Sequence, residues 1–111
     1  MTVALCSGVI YEVNLSIDAA IASEYRTWLD AHIHEILALR GFVEARILEV
    51  LEPRPATGEV ALCVQYTLRD HAALDAYLHD HASRLRSEGS ARFGDRFRAQ
   101  RRVLGEIKRE S

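Results

Sequence analysis

The period of the hydrophobic pattern changes along this chain in an order that few folds can accommodate. Residues 8–16 alternate between apolar and mostly polar side chains, which is typical of a half-buried strand. Residues 19–39, which follow the helix-capping residue Asp18, carry apolar side chains every three or four positions. This second pattern predicts an amphipathic helix with one stripe facing a core.

The rest of the chain repeats this strand and helix pattern with one additional strand. Strands are predicted over residues 42–51 and 59–67, joined by a turn rich in proline and glycine. A second helix is predicted over residues 71–88, ended by Gly89, and a last strand over residues 96–107. The order βαββαβ predicts an α+β fold of the ferredoxin-like type. In that fold a four-stranded antiparallel sheet carries both helices on one face.

Length and composition predict a single globular domain. The chain has 111 residues, of which 49% are hydrophobic and 27% charged, and we expect an ordered core over about residues 8–107. No apolar run approaches the roughly 20 residues of a membrane span, and the apolar start lacks a basic segment. We therefore expect a cytoplasmic protein whose two cysteines, Cys6 and Cys63, are reduced thiols.

Charge is distributed unevenly between the two parts of the chain. Residues 84–111 contain nine basic and four acidic side chains, whereas the preceding residues contain five basic and twelve acidic ones. A basic segment of this kind can bind nucleic acid, but no nucleic-acid motif or stacking platform accompanies these arginines. The favoured interpretation is that the basic segment pairs with acidic groups of the same protein.

Two histidines fall at matching places on the two predicted helices. His32 lies on the apolar stripe of the first helix, one turn after Trp28, and His81 follows Tyr77 in the same way on the second. Both are expected to face the layer between helices and sheet, where imidazoles can act as general acid and base. The sequence equally allows both to be structural core residues.

The layer between helices and sheet is also the predicted ligand pocket. Its predicted ligand-binding residues are aromatic and face this layer: Trp28, Tyr77, Tyr11 and Tyr25. A metal site could be formed by His71, Asp75 and His79, which are spaced four apart on one helix face. Because no fourth ligand is visible there, no metal is predicted.

The opposite face of the sheet is polar, with apolar residues interspersed. A face of this composition favours pairing with the same face of a second chain, in which Glu–Arg pairs would fix the register. A homodimer through the sheet face is therefore expected. The predicted residues of this face are Ile10, Glu12, Asn14, Glu44, Arg46, Leu48, Cys63, Gln65, Thr67, Arg98, Gln100, Arg102 and Leu104.

Several short motifs resemble those of a small bacterial family of unknown function. They are the run Arg92-Phe93-Gly94-Asp95-Arg96-Phe97, the pairs Gly41-Phe42, Gln65-Tyr66 and Tyr77-Leu78, and Trp28. The resemblance covers about residues 9–107. That family is similar to the dimeric α/β-barrel superfamily, in which two ferredoxin-like chains pair their sheets face to face. Relatives include cofactor-independent monooxygenases, haem-degrading enzymes, isomerases and cyclases, and their pockets lie between helices and sheet.

The resemblance implies a small-molecule-binding protein. One hypothesis is a cofactor-independent enzyme of the monooxygenase, isomerase or cyclase type, acting on a hydrophobic or aromatic metabolite. The alternative is a non-catalytic dimeric binding or interaction module. Haem is considered because haem-degrading relatives use an asparagine, a tryptophan and a histidine. Asn14, Trp28 and His81 have the right types but not the matching elements, so no cofactor is predicted.

Overall fold

A single antiparallel sheet forms the framework of the protein. The computed structural model describes residues 8–111, so the apolar start and Cys6 lie outside the described residues. The strands follow the order β2-β3-β1-β4, with β2 and β4 at the edges. Their bounds are β1 Val9–Asp18, β2 Phe42–Glu49, β3 Glu59–Leu68 and β4 Phe97–Gly105.

Helices cover one face of this sheet. Helix α1 spans Ala22–Leu37 and follows a short 3-10 turn, at whose start the Asp18 carboxylate accepts a hydrogen bond from the Ala20 amide at 3.0 Å. Helix α2 spans His71–Asp80, and the Asp70 carboxylate accepts a hydrogen bond from the Ala73 amide at 2.8 Å. Asp18 was expected as an N-cap, and Asp70 has the same role, because a carboxylate satisfies amides that have no partner in the first turn.

The described residues contain a third helix, which corrects the predicted single helix over residues 71–88. The helical path breaks at His81 (φ −129°, ψ −31°), and α3 then runs over Ala82–Phe93. Gly89 does not end the helix, because it is buried inside α3 against Trp28. A Cβ atom added at Gly89 would lie only 3.0 Å from the indole, so the glycine allows the close approach of α1 to α3. The fold remains ferredoxin-like, as predicted.

The predicted alternation of the strands is confirmed by burial. The face of the sheet that the helices cover is called the inner face here, and the uncovered one the outer face. Side chains of β1 and β3 at alternate positions are buried on the inner face and contact the helices in one hydrophobic core. Representative members are Tyr11, Leu15, Ile17, Leu62, Val64 and Tyr66.

The outer face carries a buried carboxylate. Glu12 is only 3% exposed, and it lies between Gln65 on β3 and Arg102 on β4. It accepts hydrogen bonds from Asn14 and Gln65, both at 2.9 Å, and from Arg102. These hydrogen bonds, that of Arg102 foremost, hold the pKa of Glu12 at about 2. The ionised carboxylate can be buried because these three hydrogen bonds stabilise its charge.

The basic segment, residues 84–111, pairs with acidic residues of the preceding chain. Each contact joins one arginine of the segment to a carboxylate earlier in the sequence, as the favoured interpretation of the charge pattern expects. The pairs are Arg84–Glu35, Arg92–Glu24, Arg96–Asp18, Arg98–Glu59 and Arg102–Glu12. Most are exposed, so their effect is to neutralise the segment more than to stabilise the fold.

Two smaller expectations concern cysteine and the membrane. Cys63 is a buried free thiol on the outer face of β3, and burial raises its pKa. It therefore behaves as a small core residue and not as a nucleophile. Within residues 8–111, no helix has the length and apolar character needed to cross a membrane.

Candidate functional site

A cavity lies between α1, α3 and the inner face of the sheet. Its enclosed part measures about 50 Å³, which is room for a few water molecules, and about 520 Å³ are empty when the mouth is counted. Arg86 on α3 and Arg101 on β4 are exposed and belong to the lining, so the cavity opens to solvent between these two elements. The position is the one predicted for the ligand pocket.

One stripe of α1 supplies an aromatic wall. Tyr25, Trp28 and His32 all line the cavity, and their roles in binding or catalysis stay predictions. The imidazole of His32 stacks on the indole of Trp28, with ring centroids 4.5 Å apart and an angle of 20° between the planes. Residues four apart on a helix lie on the same face, so the stack follows directly from their spacing.

Tyrosines from the sheet and from α2 form the opposite wall. The Tyr11 ring lies 6.2 Å from that of Tyr66 and 5.8 Å from that of Tyr77. Burial raises the pKa of Tyr77, like that of Tyr25, to about 12, and it raises that of Tyr66 further. These three phenols are therefore neutral at pH 7 and retain a proton to donate to a ligand.

His32 is half-buried, and its surroundings favour the neutral imidazole. Burial lowers its pKa below the usual 6.5, Glu35 and Glu88 act in the opposite direction, and Arg101 adds to the lowering. Its Nδ1 atom is buried and has no hydrogen-bond partner among residues 8–111. Buried polar atoms are almost always paired, so an unpaired imidazole nitrogen in a residue of the cavity wall is unusual.

Two arginines at the mouth were not predicted as site residues. The Nη2 atom of Arg86 donates a hydrogen bond to the Tyr11 hydroxyl at 2.7 Å. Arg101 lies opposite Val13 in the register of β4 and shares the inner face with Phe97 and Ala99. The signal was present in the sequence, because a charged residue occupies a position of β4 that alternation assigns to the apolar side.

His81 does not share the cavity with His32, contrary to the prediction of a common pocket. It lies at the break between α2 and α3 and lines a separate surface depression together with Leu39, Arg40 and Asp70. The prediction extended the helical wheel of the second helix one residue too far. Because α2 ends at Asp80, the direction of the His81 side chain no longer follows that of Tyr77.

The candidate metal ligands do not assemble. His71 and Asp75 are both exposed, with Nε2 and Oδ1 3.8 Å apart, while His79 contacts Asp80 at 2.7 Å. The structure from residue 8 onward contains no group of three His, Cys, Asp or Glu side chains able to hold a metal ion.

The residue set considered for haem is also dispersed. Trp28 lines the cavity, but Asn14 lies on the outer face, where its amide donates to Glu12. His81 is at the helix break outside the cavity. The side chains that would carry haem chemistry by that resemblance therefore do not fit a common site in this chain.

The sheet order and the helices on one face define a protein of the ferredoxin-like α+β class, with a cavity between the helices and the sheet. The chain belongs to the DUF4286 family, a domain of unknown function, whose model matches residues 8–107. No curated protein matches the chain. The assignment of the run Arg92-Phe93-Gly94-Asp95-Arg96-Phe97 as a motif of this family stays a prediction.

Solved structures of similar fold come from several proteins. Rv0793 from Mycobacterium tuberculosis is 23% identical (TM-score 0.66), with 95% of this chain and 100% of that chain covered. SnoaB, a cofactor-independent oxygenase from Streptomyces nogalater, is 13% identical (TM-score 0.66), with 93% and 96% covered. The haem-degrader MhuD from M. tuberculosis is 15% identical (TM-score 0.64), with 93% and 99% covered. At these identities the similarity establishes the fold and not the activity.

Proposed function

We propose that this protein binds a small aromatic or hydrophobic molecule in the cavity and that His32 acts on it as general acid–base. The observation that carries the proposal is the buried Nδ1 atom of His32, which has no partner in residues 8–111 and belongs to a residue of the cavity wall. A polar atom left unpaired in the free protein is costly unless a ligand satisfies it. The aromatic lining supplies the apolar contact area for such a ligand.

The chemistry would start with a proton transfer. A neutral imidazole can take a proton from an acidic C–H or O–H group of the ligand, provided that the two lie within hydrogen-bond reach. Glu35 and Glu88, which raise the pKa of His32, would stabilise the imidazolium that forms. Isomerisation, cyclisation and cofactor-independent oxygenation can all begin with such a proton removal, so we propose no cofactor. The cofactor-independent oxygenase among proteins of this fold supports this reaction class by analogy.

The alternative is a non-catalytic module in which His32 and His81 are structural. The two hypotheses differ in what happens to a bound ligand. An enzyme in which His32 is replaced by glutamine should still bind its ligand but lose turnover. In a binding module, the same variant should leave every measured property of the ligand complex unchanged apart from a small shift in affinity.

The single tryptophan of the chain makes the binding test direct. Trp28 is in the cavity wall, so its emission, excited near 295 nm, reports ligands that enter. We expect small aromatic compounds to change this emission saturably in the wild type and in His32→Gln. His81→Gln, a histidine outside the cavity, is the matched control for turnover. If no compound of a panel of one- and two-ring aromatics alters Trp28 emission, the proposed ligand site is wrong.

We further propose that the outer face pairs with the outer face of a second copy. Ile10, Leu48 and Leu104 place apolar area on it. Pairing of sheets is also what the resemblance to the dimeric α/β-barrel superfamily implies. Arg46, which donates to Gln65 at 2.8 Å but pairs with no carboxylate in the described chain, is free to meet an acidic group of the partner. We also expect a cytoplasmic location, where a reduced Cys63 would persist.

A further inference from the structure

The polar groups at the cavity are all neutral or positively charged. Arg86 and Arg101 line the mouth, His32 and four tyrosines line the interior, and no aspartate or glutamate belongs to the lining. A guanidinium is always charged at ordinary pH, so the cavity carries two positive charges without an acidic group in its wall.

Neighbouring arginines are neutralised, which makes this pair unusual. On β4, Arg98 pairs with Glu59 and Arg102 pairs with Glu12, while on α3 Arg84 and Arg92 pair with glutamates. Within residues 8–111, Arg101 has no ion pair or hydrogen bond with any side chain. The contact of Arg86 is with the neutral Tyr11 hydroxyl. These four neighbouring arginines are thus paired with carboxylates, whereas Arg86 and Arg101 have no carboxylate partner in the described chain.

The charge of Arg101 also reaches into the cavity. Burial has the largest effect on the pKa values of Tyr25, Tyr66, Tyr77 and His32, and Arg101 lowers each of them. One guanidinium therefore lies within electrostatic range of both aromatic walls. An anionic group placed beside it would lie at the mouth, with the remainder of the molecule against the rings.

We infer that the ligand class is an aromatic carboxylate, or a related aromatic anion, whose charged group is held by Arg101 with support from Arg86. The inference rests on the proposed function, because it names the ligand of the same cavity. Arginine presents a planar fork of donors that matches the two oxygens of a carboxylate. The ring of the ligand would occupy the space between Trp28 and the tyrosines, next to the unpaired nitrogen of His32.

The test compares matched pairs of anionic and neutral ligands. Benzoate and benzamide, and 2-naphthoate and 2-naphthamide, are titrated into the full chain at low ionic strength, with Trp28 emission and calorimetry as readouts. We expect each acid to bind at least tenfold more tightly than its amide, since hydrogen bonds between charged groups exceed neutral ones by this order. Arg101→Gln should remove most of that preference, and Arg101→Lys should retain part of it.

Arg98→Gln is the control, because Arg98 lies on the same strand with its charge on the outer face and paired with Glu59. It should leave the preference for the acid unchanged. Equal binding of acids and amides, or a preference that persists in Arg101→Gln, would overturn the inference and leave the proposed function standing. Failure of every acid and every amide to bind would overturn both. Circular dichroism of each variant verifies the fold, and Arg101 is exposed, so its replacement should be tolerated.

Discussion

The imidazole of His32 lies flat against the indole of Trp28, with 4.5 Å between ring centroids. The stack fixes the imidazole plane in the cavity wall while Nδ1 remains unpaired. An aromatic surface on one side restricts rotation of the imidazole without using either of its nitrogens. The stack therefore holds His32 in the cavity wall without using Nδ1, as its proposed role requires.

This arrangement predicts the pH dependence of stability. The pKa of His32 is lowered on folding, so the unfolded chain binds more protons once the pH falls below about 6.5. His32 therefore destabilises the folded state increasingly as pH falls through this range, and its neutral form is fully compatible with folding above it. The free energies of unfolding measured in urea at pH 5.5 and pH 7.5 should differ by less in His32→Gln than in the wild type.

The same substitution should have little effect at pH 7.5. No hydrogen bond of Nδ1 is lost, so we expect a change in the free energy of unfolding within about 1 kcal/mol, from the stacking contact alone. His81→Gln, which replaces a histidine outside the cavity, is the matched control for the substitution itself. The same change in the free energy of unfolding between pH 5.5 and pH 7.5 in the wild type and His32→Gln would contradict a lowered pKa of His32.

A second prediction concerns the turn after α1. Gly41 has φ +93°, and a Cβ atom added there would lie 2.4 Å from the Cβ of Ala73. Gly58 has a similar φ of +84° but nothing within 4 Å of such an atom. Gly58→Ala should therefore cost only the backbone strain, about 1–2 kcal/mol. Gly41→Ala should cost about 1–3 kcal/mol more, because α2 must move.

Chemical unfolding of the two glycine variants measures the difference. The comparison isolates the contact with Ala73, since both positions share the left-handed backbone. Equal losses in the two variants would show that α2 can move away from the turn without cost, against the close packing described above.

A third prediction follows from the network around Glu12. Its pKa in the folded protein, about 2, is below the ordinary value of 4.5. The stabilisation from its charge is therefore complete above about pH 4.5 and is lost as pH falls from 4.5 towards 2. Glu12→Gln should be less stable by about 1–3 kcal/mol at pH 7. Its deficit relative to the wild type should shrink across this acid range.

Equilibrium unfolding at a series of pH values between 2 and 7 tests the prediction. Glu44→Gln removes an exposed carboxylate from the same face and serves as the control. If the free energies of unfolding of wild type and Glu12→Gln differ by the same amount over the whole range, the charge of Glu12 does not contribute to stability.

A fourth prediction concerns self-association. Leu48 on the outer face and Leu78 on α2 are each 39% exposed, so they form a matched pair on opposite sides of the protein. Leu48→Lys should raise the dissociation constant of the proposed dimer at least tenfold, because a charge would be buried between sheets. Leu78→Lys should not. Light scattering and sedimentation measure both, and a wild type that stays monomeric at tens of micromolar would refute the dimer.

The periodicity of the sequence was sufficient to predict the fold and to place most residues of the cavity wall. Alternation in β1 placed Tyr11 on the inner face, and the spacing of α1 placed Trp28 and His32 together, because both periods are local geometric properties. The break at His81 could not be predicted, since no glycine or proline lies next to it and Gly89 suggested a helix end. Gly89 instead allows a close contact with Trp28, which is distant in sequence.

For Arg101, the sequence could predict the position but not the absence of a carboxylate partner in the described chain. Its position on the inner face follows from alternation with Phe97 and Ala99, so the information was local. What the sequence could not supply was the pairing of its neighbours. Only the folded arrangement shows that Arg98 and Arg102 have carboxylate partners while Arg101 has none in the described chain.

The burial of Glu12 within one protomer separates two processes that are often coupled. The carboxylate loses its water when a single chain folds, since Asn14, Gln65 and Arg102 already surround it. Any molecule that later covers the outer face, a second copy included, meets a group that is already dehydrated. Protonation of Glu12 should therefore weaken the folding of each chain, while Glu12 itself contributes little to any pH dependence of the contact between two folded chains.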